Sequence, residues 1–243
     1  MKAMILAAGL GTRLRPLTDD RPKALVEVGG RTLLEITLER LRAFDIREVI
    51  INVHHFADKV LDYLRANKNF GMRIEISRED ILLDTGGGLK KAAYFFLENP
   101  GELDAPFILH NVDVISTIDL RHMLQYQVEK QALATLAVQD RETSRYLLFD
   151  ERLQLCGRRS VPEKNEIVRS SQNLQPLAFS GIHVISPRLL NMITEDGAFS
   201  IITTYLRLAA QRENIQAFRA DQYAWRDLGR PDDLLKAADG MKK

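Results

Sequence analysis

The sequence predicts an α/β fold, a mixed and mainly parallel sheet flanked by helices, and three observations carry that prediction. Short apolar runs alternate with segments of helical periodicity, the pattern of βα units. With 243 residues and 45% hydrophobic content, the chain can fill a sizeable core. From about Asp140 to Asn173 the pattern changes to short, charged, strand-like pieces with a turn at Asp150-Glu151, which reads as a small antiparallel insertion in the α/β body.

The elements follow in order. Ala3 to Ala8 is a continuous apolar run and the first expected strand. In RTLLEITLERLRAF, Leu33, Leu34, Ile36, Leu38, Leu41 and Phe44 recur close to helical spacing, so a helix is expected there, opened by a capping box of Thr32 and Glu35. The segment from Gly9 to Arg31 is therefore a connection of about 20 residues, a length that in compact domains is usually functional. Further strands are expected at Glu48 to Val53, Met72 to Ser77, Phe107 to His110 and Ala132 to Val138. Weaker strand signals lie at Tyr146 to Phe149, Leu153 to Cys156, Ala178 to Ile185, Ile215 to Arg219 and Tyr223 to Arg226. Asp119 suits a helix N-cap, and Pro231 with Asp232 and Asp233 suits the first turn of a last helix. Together these elements predict a Rossmann-like sheet in a single domain over residues 1–243.

Composition narrows the function. Lys and Arg number 34 against 33 Asp and Glu, so no global basic field points to nucleic acid or an anionic membrane, and any anion site must be local. With one cysteine, Cys156, no intrachain disulfide or thiol cluster can form, which fits a cytoplasmic protein. AMILAAGL superficially resembles a signal peptide, but it is only eight residues long and runs straight into GTRLRP. No stretch approaches the roughly 18 apolar residues of a membrane span.

The opening loop, LAAGLGTRLRPLTDDRPKAL, carries the strongest chemical signal. Gly9, Gly11 and Leu14 lack the third glycine of the dinucleotide fingerprint, and no G-K-[ST] triplet makes a P-loop. Gly9 and Gly11 allow positive φ and close backbone approach, while Arg13, Arg15, Arg21 and Lys23 gather charge past the end of a buried strand, where open α/β sheets bind ligands. The combination suits a polyphosphate, and a merely solvated basic loop is the competing reading. In FILHNVDVIST, Asn111 and Asp113 follow an apolar strand, a position from which an Asp can hold Mg²⁺ together with substrate phosphates.

Leu6 to Leu25 resembles, almost position by position, the signature L-A-A-G-x-G-T-R-L-x-P-L-T-x-x-x-P-K-x-L of the sugar-1-phosphate nucleotidylyltransferases. The resemblance implies that family's nucleotide-diphospho-sugar transferase fold, with a nucleotide-binding part over about 1–138, a sugar-binding part over about 139–230 and a C-terminal helix over 231–243. It implies that Leu6, Ala7, Ala8, Gly9, Gly11 and Thr12 cradle a nucleoside triphosphate, with Arg13 on the β and γ phosphates and Lys23 at the reacting centre. ILLDTGGGLKKA sets three glycines before an apparent helix. Alone they could be a flexible turn, but the resemblance assigns Asp84, Thr85, Gly86 and Gly87 to the base. The D-T-G-G-G form is similar to the N-acetylmuramate-1-phosphate uridylyltransferase branch.

The resemblance extends along the chain. N-V-D at 111–113 matches the family's N-G-D except at Val112, and W-x-D-x-G at Trp225 is similar to its late metal motif, giving Asp227 as the second Mg²⁺ ligand beside Asp113. Ser180 and Gly181 in LAFSGIHVIS resemble a strand that lines the sugar pocket, with Asn111 also on the substrate. Glu163 and Lys164 resemble an E-K pair on the sugar phosphate, although Asn165 stands where proline normally follows. Tyr146 after Ser144-Arg145 departs from the family's Tyr-Gly or Gly-Asp element, which leaves the sugar open. The expected activity is Mg²⁺-assisted condensation of an NTP, UTP first, with a sugar 1-phosphate. GTP or CTP with mannose, heptose or phosphocholine acceptors is the near alternative, and a non-catalytic nucleotide-sugar sensor is the alternative of another class. The substrates are the only partners expected, and the oligomeric state stays open.

Overall fold

The computed structural model describes residues 1–98, 105–162 and 165–241. Its strands are β1 (Lys2–Leu6), β2 (Glu27–Val28), β3 (Arg31–Thr32), β4 (Glu48–Val53), β5 (Arg73–Arg78), β6 (Phe107–Asn111), β7 (Val114–Ser116), β8 (Ala134–Gln139), β9 (Arg145–Phe149), β10 (Leu155–Ser160), β11 (Asn165–Ile167), β12 (Gln175–Ile185), β13 (Ile215–Arg219) and β14 (Trp225–Asp227). The helices are α1 (Leu33–Ala43), α2 (Ala57–Ala66), α3 (Asp84–Lys91), α4 (Ala93–Leu97), α5 (Leu120–Glu129), α6 (Ile201–Ala210) and α7 (Pro231–Met241).

The main sheet runs β11-β10-β9-β12-β6-β1-β4-β5, with β8 and β13 joined through β12. Its core is parallel: β1 pairs with both β4 and β6, and β4 pairs with β5. The long strand β12 makes the sheet mixed, because it pairs antiparallel with β6, β8 and β9. Through β9 the insertion's β9-β10-β11 meander extends the same sheet, as an excursion within the body should.

Alternation along each central strand explains why both faces need helices. In β1, Ala3 and Ile5 face one apolar cluster while Met4 faces the other, and in β4 Val49 and Ile51 part from Ile50 in the same way. The first cluster takes α1, α2 and α5 through Leu34, Leu38, Val60 and Met123. The second takes α3, α4 and α6 through Leu89, Phe95, Tyr205 and Leu208.

Two local expectations are refined. Thr32 Oγ1 does accept the Glu35 N–H at 3.1 Å, but the reciprocal half of the capping box is missing. The Glu35 carboxylate instead accepts the Tyr63 hydroxyl at 2.8 Å, tying α1 to α2. The three glycines at 86–88 lie inside α3 and not before it. A Cβ on Gly86 would stand 2.3 Å from the Phe199 ring, and one on Gly87 2.4 Å from the Gly197 carbonyl. The helix must press that closely on the 197–199 segment, so these positions take glycine for packing and not for turning.

Candidate active site

β1 and β6 lie side by side in register, Leu6 opposite Asn111, so the loops that leave their C-terminal ends share one rim of the sheet. The Val112 N–H adds one more bond to the Leu6 carbonyl at 3.2 Å. Val112 itself packs into the apolar cluster, which is how the chain carries valine where the signature has glycine. Two residues on, β7 pairs antiparallel with β14, Val114 opposite Asp227, and the Leu228 N–H donates to the Asp113 carbonyl at 2.8 Å. This small ladder brings Asp227 beside Asp113 despite their separation in sequence.

The basic loop supplies the counter-charges. Lys23, in a short 3-10 turn over Lys23–Leu25, is buried and places its ammonium on the Asp113 carboxylate. Arg13, in a similar turn over Thr12–Leu14, lines a groove with Asp227, and its guanidinium lies 2.9 Å from where a Cβ on Gly229 would stand. Burial and the neighbouring Asp113 charge hold the Asp227 carboxyl above its usual range, against the pull of Lys23, the Gly229 N–H and Arg13. The other two basic residues leave the site: Arg15 pairs with Asp19 at 3.4 Å and Arg21 with Asp20 at 2.8 Å, all exposed to solvent. The expected fourfold cluster thus divides into two cations beside the carboxylates, Lys23 and Arg13, and two solvated ones.

The loop glycines also divide. Only Gly11 uses the left-handed region, with φ +66°, and a Cβ there would meet the Thr18 methyl at 2.9 Å. Gly9 has ordinary φ, but a Cβ on it would meet nothing within 4 Å, because it faces open cleft. That cleft, about 440 Å³, is lined by Leu6, Ala7, Ala8, Gly9, Lys23, Asn111 and Asp113 on one side and by Asp84 and Thr85 on the other. Gly11, Thr12, Gly86 and Gly87 are not on its lining. Gly86 and Gly87 are buried, and their N–H groups already donate to the Phe199 carbonyl at 2.8 and 3.3 Å. Gly86 and Gly87 thus have no free N–H to offer the cleft, whose wall here is formed by Asp84 and Thr85.

A second hollow, about 680 Å³, shares Asp84, Thr85 and Asn111 with the first and extends over the insertion. Its β12 wall presents Phe179 and His183. Ser180 and Gly181 are not on that wall, because the Ser180 side chain is fully buried and Gly181 backs onto Asn111 and Val114. Glu163 and Lys164 lie outside the described residues.

Several supporting residues have weak sequence signals. Asn52, a lone amide near the end of an apolar strand, accepts the Ala7 N–H at 2.8 Å and donates to Glu79 at 2.8 Å. Glu79 also accepts the Leu83 N–H at 3.0 Å, so one buried pair fixes both walls of the nucleotide-side cleft. Arg141 stacks on Trp225, 3.7 Å from the ring centre, and donates to the Phe179 carbonyl at 2.8 Å. Trp225 Nε1 donates to the Ser180 carbonyl at 2.7 Å. The pair locks β12 to β14, whose last residue is Asp227.

The residues fit a hard divalent cation. Two carboxylates converge at the rim, and the Asp113 charge together with burial raises the cost of ionising Asp227, a cost that a bound cation would relieve. Among the described residues no group of three or more His, Cys, Asp or Glu forms a closed protein cage. Such a two-carboxylate site leaves coordination positions for phosphate oxygens, the habit of Mg²⁺.

Comparison with known proteins agrees with this geometry. The nucleotidyl transferase family model matches residues 2–243. The chain is similar to N-acetylmuramate alpha-1-phosphate uridylyltransferase of Caulobacter vibrioides, 34% identical over 97% of this chain and 94% of that protein. It is also similar to mannose-1-phosphate guanyltransferase of Yarrowia lipolytica, 30% identical over 97% of this chain, and spans 62% of that relative's length. A Bacillus anthracis structure described as a glucose-1-phosphate thymidylyltransferase superposes with a TM-score of 0.81 over 100% of this chain and 96% of that one, at 18% identity, a likeness of fold. Among the described residues no helix is long and apolar enough to cross a membrane. Signature loop, converging carboxylates and matched length lead to one assignment: the chain belongs to the nucleotidyl transferase family and is a sugar-1-phosphate nucleotidylyltransferase.

Proposed function

We propose that this enzyme transfers a uridylyl group from UTP to N-acetylmuramate 1-phosphate or a related hexose 1-phosphate and releases pyrophosphate. The observation that carries the reading is the juxtaposition at the β7-β14 ladder: Lys23 on Asp113, and Arg13 beside Asp227. A sugar phosphate oxygen is ionised near neutral pH and needs no general base. Positioning and charge neutralisation then supply most of the barrier reduction for in-line attack on the α-phosphorus. Lys23 and Arg13 are set to take up the charge that grows on the leaving pyrophosphate. Asp113 and Asp227 would hold Mg²⁺, which when bound supplies Lewis-acid neutralisation of the phosphates.

The nucleotide-side cleft, with Ala7, Ala8, Gly9, Asp84 and Thr85, receives the nucleoside, and the hollow beyond Asn111 receives the sugar. Uracil and an N-acetylated acceptor are supported by the D-T-G-G-G form and by the Caulobacter relative. The product would feed cell-wall sugar metabolism in the cytoplasm. GTP with mannose 1-phosphate is the competing pair, favoured by the guanyltransferase relatives. Pyrophosphate release over the four common triphosphates and a panel of sugar 1-phosphates decides between them. Highest kcat/KM with UTP and N-acetylmuramate 1-phosphate supports the reading. Highest kcat/KM with GTP and mannose 1-phosphate overturns the base and acceptor, and tight nucleotide-sugar binding without any release points to a sensor.

A further inference from the structure

In the proposed reaction the nucleoside and the sugar take two of the three spaces around the carboxylate pair. The third and largest, a groove of about 1390 Å³, receives neither. Asp113 lines the nucleotide-side cleft, whereas Asp227 and Arg13 line the groove and neither of the other spaces. The groove therefore starts at the cation site, and it runs on to Asp233 and Lys236 of α7. It shares only Arg145 with the sugar-side hollow and no residue with the cleft.

Its charge is one-sided, with six cations on the lining and three carboxylates. Asp227 belongs to the metal pair, which leaves Glu142 and Asp233 to oppose the cations. Arg141 is committed to the Trp225 ring and the Phe179 carbonyl, and Arg226 donates to the Lys236 carbonyl at 2.7 Å. Arg13 stands beside Asp227.

Arg230 differs from all of these, because its main chain is fixed and its side chain is not. On one side the Gly229 N–H donates to Asp227 Oδ1 at 2.8 Å. On the other the Arg230 carbonyl opens α7, accepting the Asp233 and Leu234 N–H groups at 3.1 and 3.3 Å. The side chain is exposed in the groove, and among the described residues it makes no ion pair or hydrogen bond. A guanidinium anchored three residues from a metal carboxylate, with its planar donors unspent, is placed for a phosphate.

The direction of the reaction says which phosphate. In-line displacement sends pyrophosphate away from the α-phosphorus on the side opposite the attacking sugar phosphate. We propose that the groove receives the β and γ phosphates and that Arg230 binds the terminal one, outside Arg13, in the triphosphate and in the departing pyrophosphate. The inference rests on the proposed placement of the nucleoside in the cleft and the sugar in the hollow.

The reverse reaction isolates this contact. Inorganic pyrophosphate then attacks the α-phosphorus of the nucleotide sugar, the bond to the sugar phosphate oxygen breaks, and triphosphate and sugar 1-phosphate leave. The nucleotide sugar has no β and γ phosphates to place in the groove, so the two reverse substrates should respond differently. With the nucleotide sugar that the forward panel selects, Arg230→Gln should raise the KM for pyrophosphate about tenfold, the loss of one charge-assisted contact at an exposed site. Its KM for the nucleotide sugar and its melting temperature should stay at the wild-type values. Arg230→Lys should recover part of the loss, since it keeps the charge without the planar fork. Calorimetric titration of pyrophosphate alone into the enzyme in Mg²⁺ buffer should show the same weakening without turnover. An unchanged KM for pyrophosphate in Arg230→Gln, or a forward-direction rise that falls on the sugar 1-phosphate instead of the triphosphate, overturns the Arg230 assignment alone. No nucleotide sugar from any substrate pair by the wild type overturns the reading of the site itself.

Discussion

The rim around Asp113 and the hollow over the insertion use charge in opposite ways. At the rim, Lys23 is buried against Asp113, and a two-stranded ladder whose backbone bonds leave little freedom sets Asp227, with Arg13 from the loop beside it. Over the insertion, Arg145 and Arg158 stand exposed on a meander at the sheet's edge, and Arg159 is half-buried beside them. On the proposed reading, the chemistry that must not vary sits where main-chain pairing and burial fix it, whereas the sugar lies against side chains on strands that can change without disturbing the core.

That contrast is broken most severely from the rim. Asp113→Asn should lower turnover by about 10²–10³-fold or more with the melting temperature nearly unchanged, as read by pyrophosphate release and thermal unfolding. A smaller loss is expected from Gly229→Ala, whose new methyl would lie 2.8 Å from Asp227 Oδ1 and 2.9 Å from the Arg13 guanidinium. Its kcat should fall about tenfold to a hundredfold, since displacements near an ångström cost on that order.

Trp225→Phe joins the two regions, because it removes the N–H given to the Ser180 carbonyl and weakens the stack with Arg141. It should cost about 1–3 kcal/mol in urea unfolding, the penalty of an orphaned buried acceptor. The most gradual effect, small within any one pH unit, is a slope. Burial lowers His110 to about 4 and His183 to about 3, from 6.5. Their contribution is fully present above pH 6.5 and is lost as pH falls toward those values, because the unfolded chain binds protons first. Unfolding free energy should drop by roughly 1 kcal/mol per pH unit for each histidine, and His183→Gln should remove one histidine's share.

How much of this was legible depended on where burial spoke. Glu48–Val53, a branched-chain-rich run, and Ile215–Arg219, whose first four residues are buried, have expected bounds that match the structure. β10 was expected at Leu153 to Cys156 and lies at Leu155–Ser160, because its second half, Arg158-Arg159-Ser160, is an edge-facing polar stretch with no apolar period to read. That Lys23, Asp113 and Asp227 meet could be expected because a charged residue just past an apolar strand or in a basic loop has few structural reasons to be there. That Arg15 and Arg21 turn away could not, since charge along a loop says nothing about direction. Gly86 and Gly87 misled for a related reason: glycine marks close approach, and the sequence does not say whether a ligand or Phe199 makes it. Asn52 and Glu79 went unnoticed because a buried amide and a buried carboxylate matter through partners that only the fold brings near.

In the proposed reaction the β7-β14 ladder makes Asp227 a full partner of Asp113. Pyrophosphate release by Asp227→Asn at saturating triphosphate and Mg²⁺ tests it most directly. Asp227→Asn should lose about a hundredfold or more in turnover, comparable to Asp113→Asn, in a protein that melts like the wild type. Undiminished turnover in a folded Asp227→Asn would contradict it.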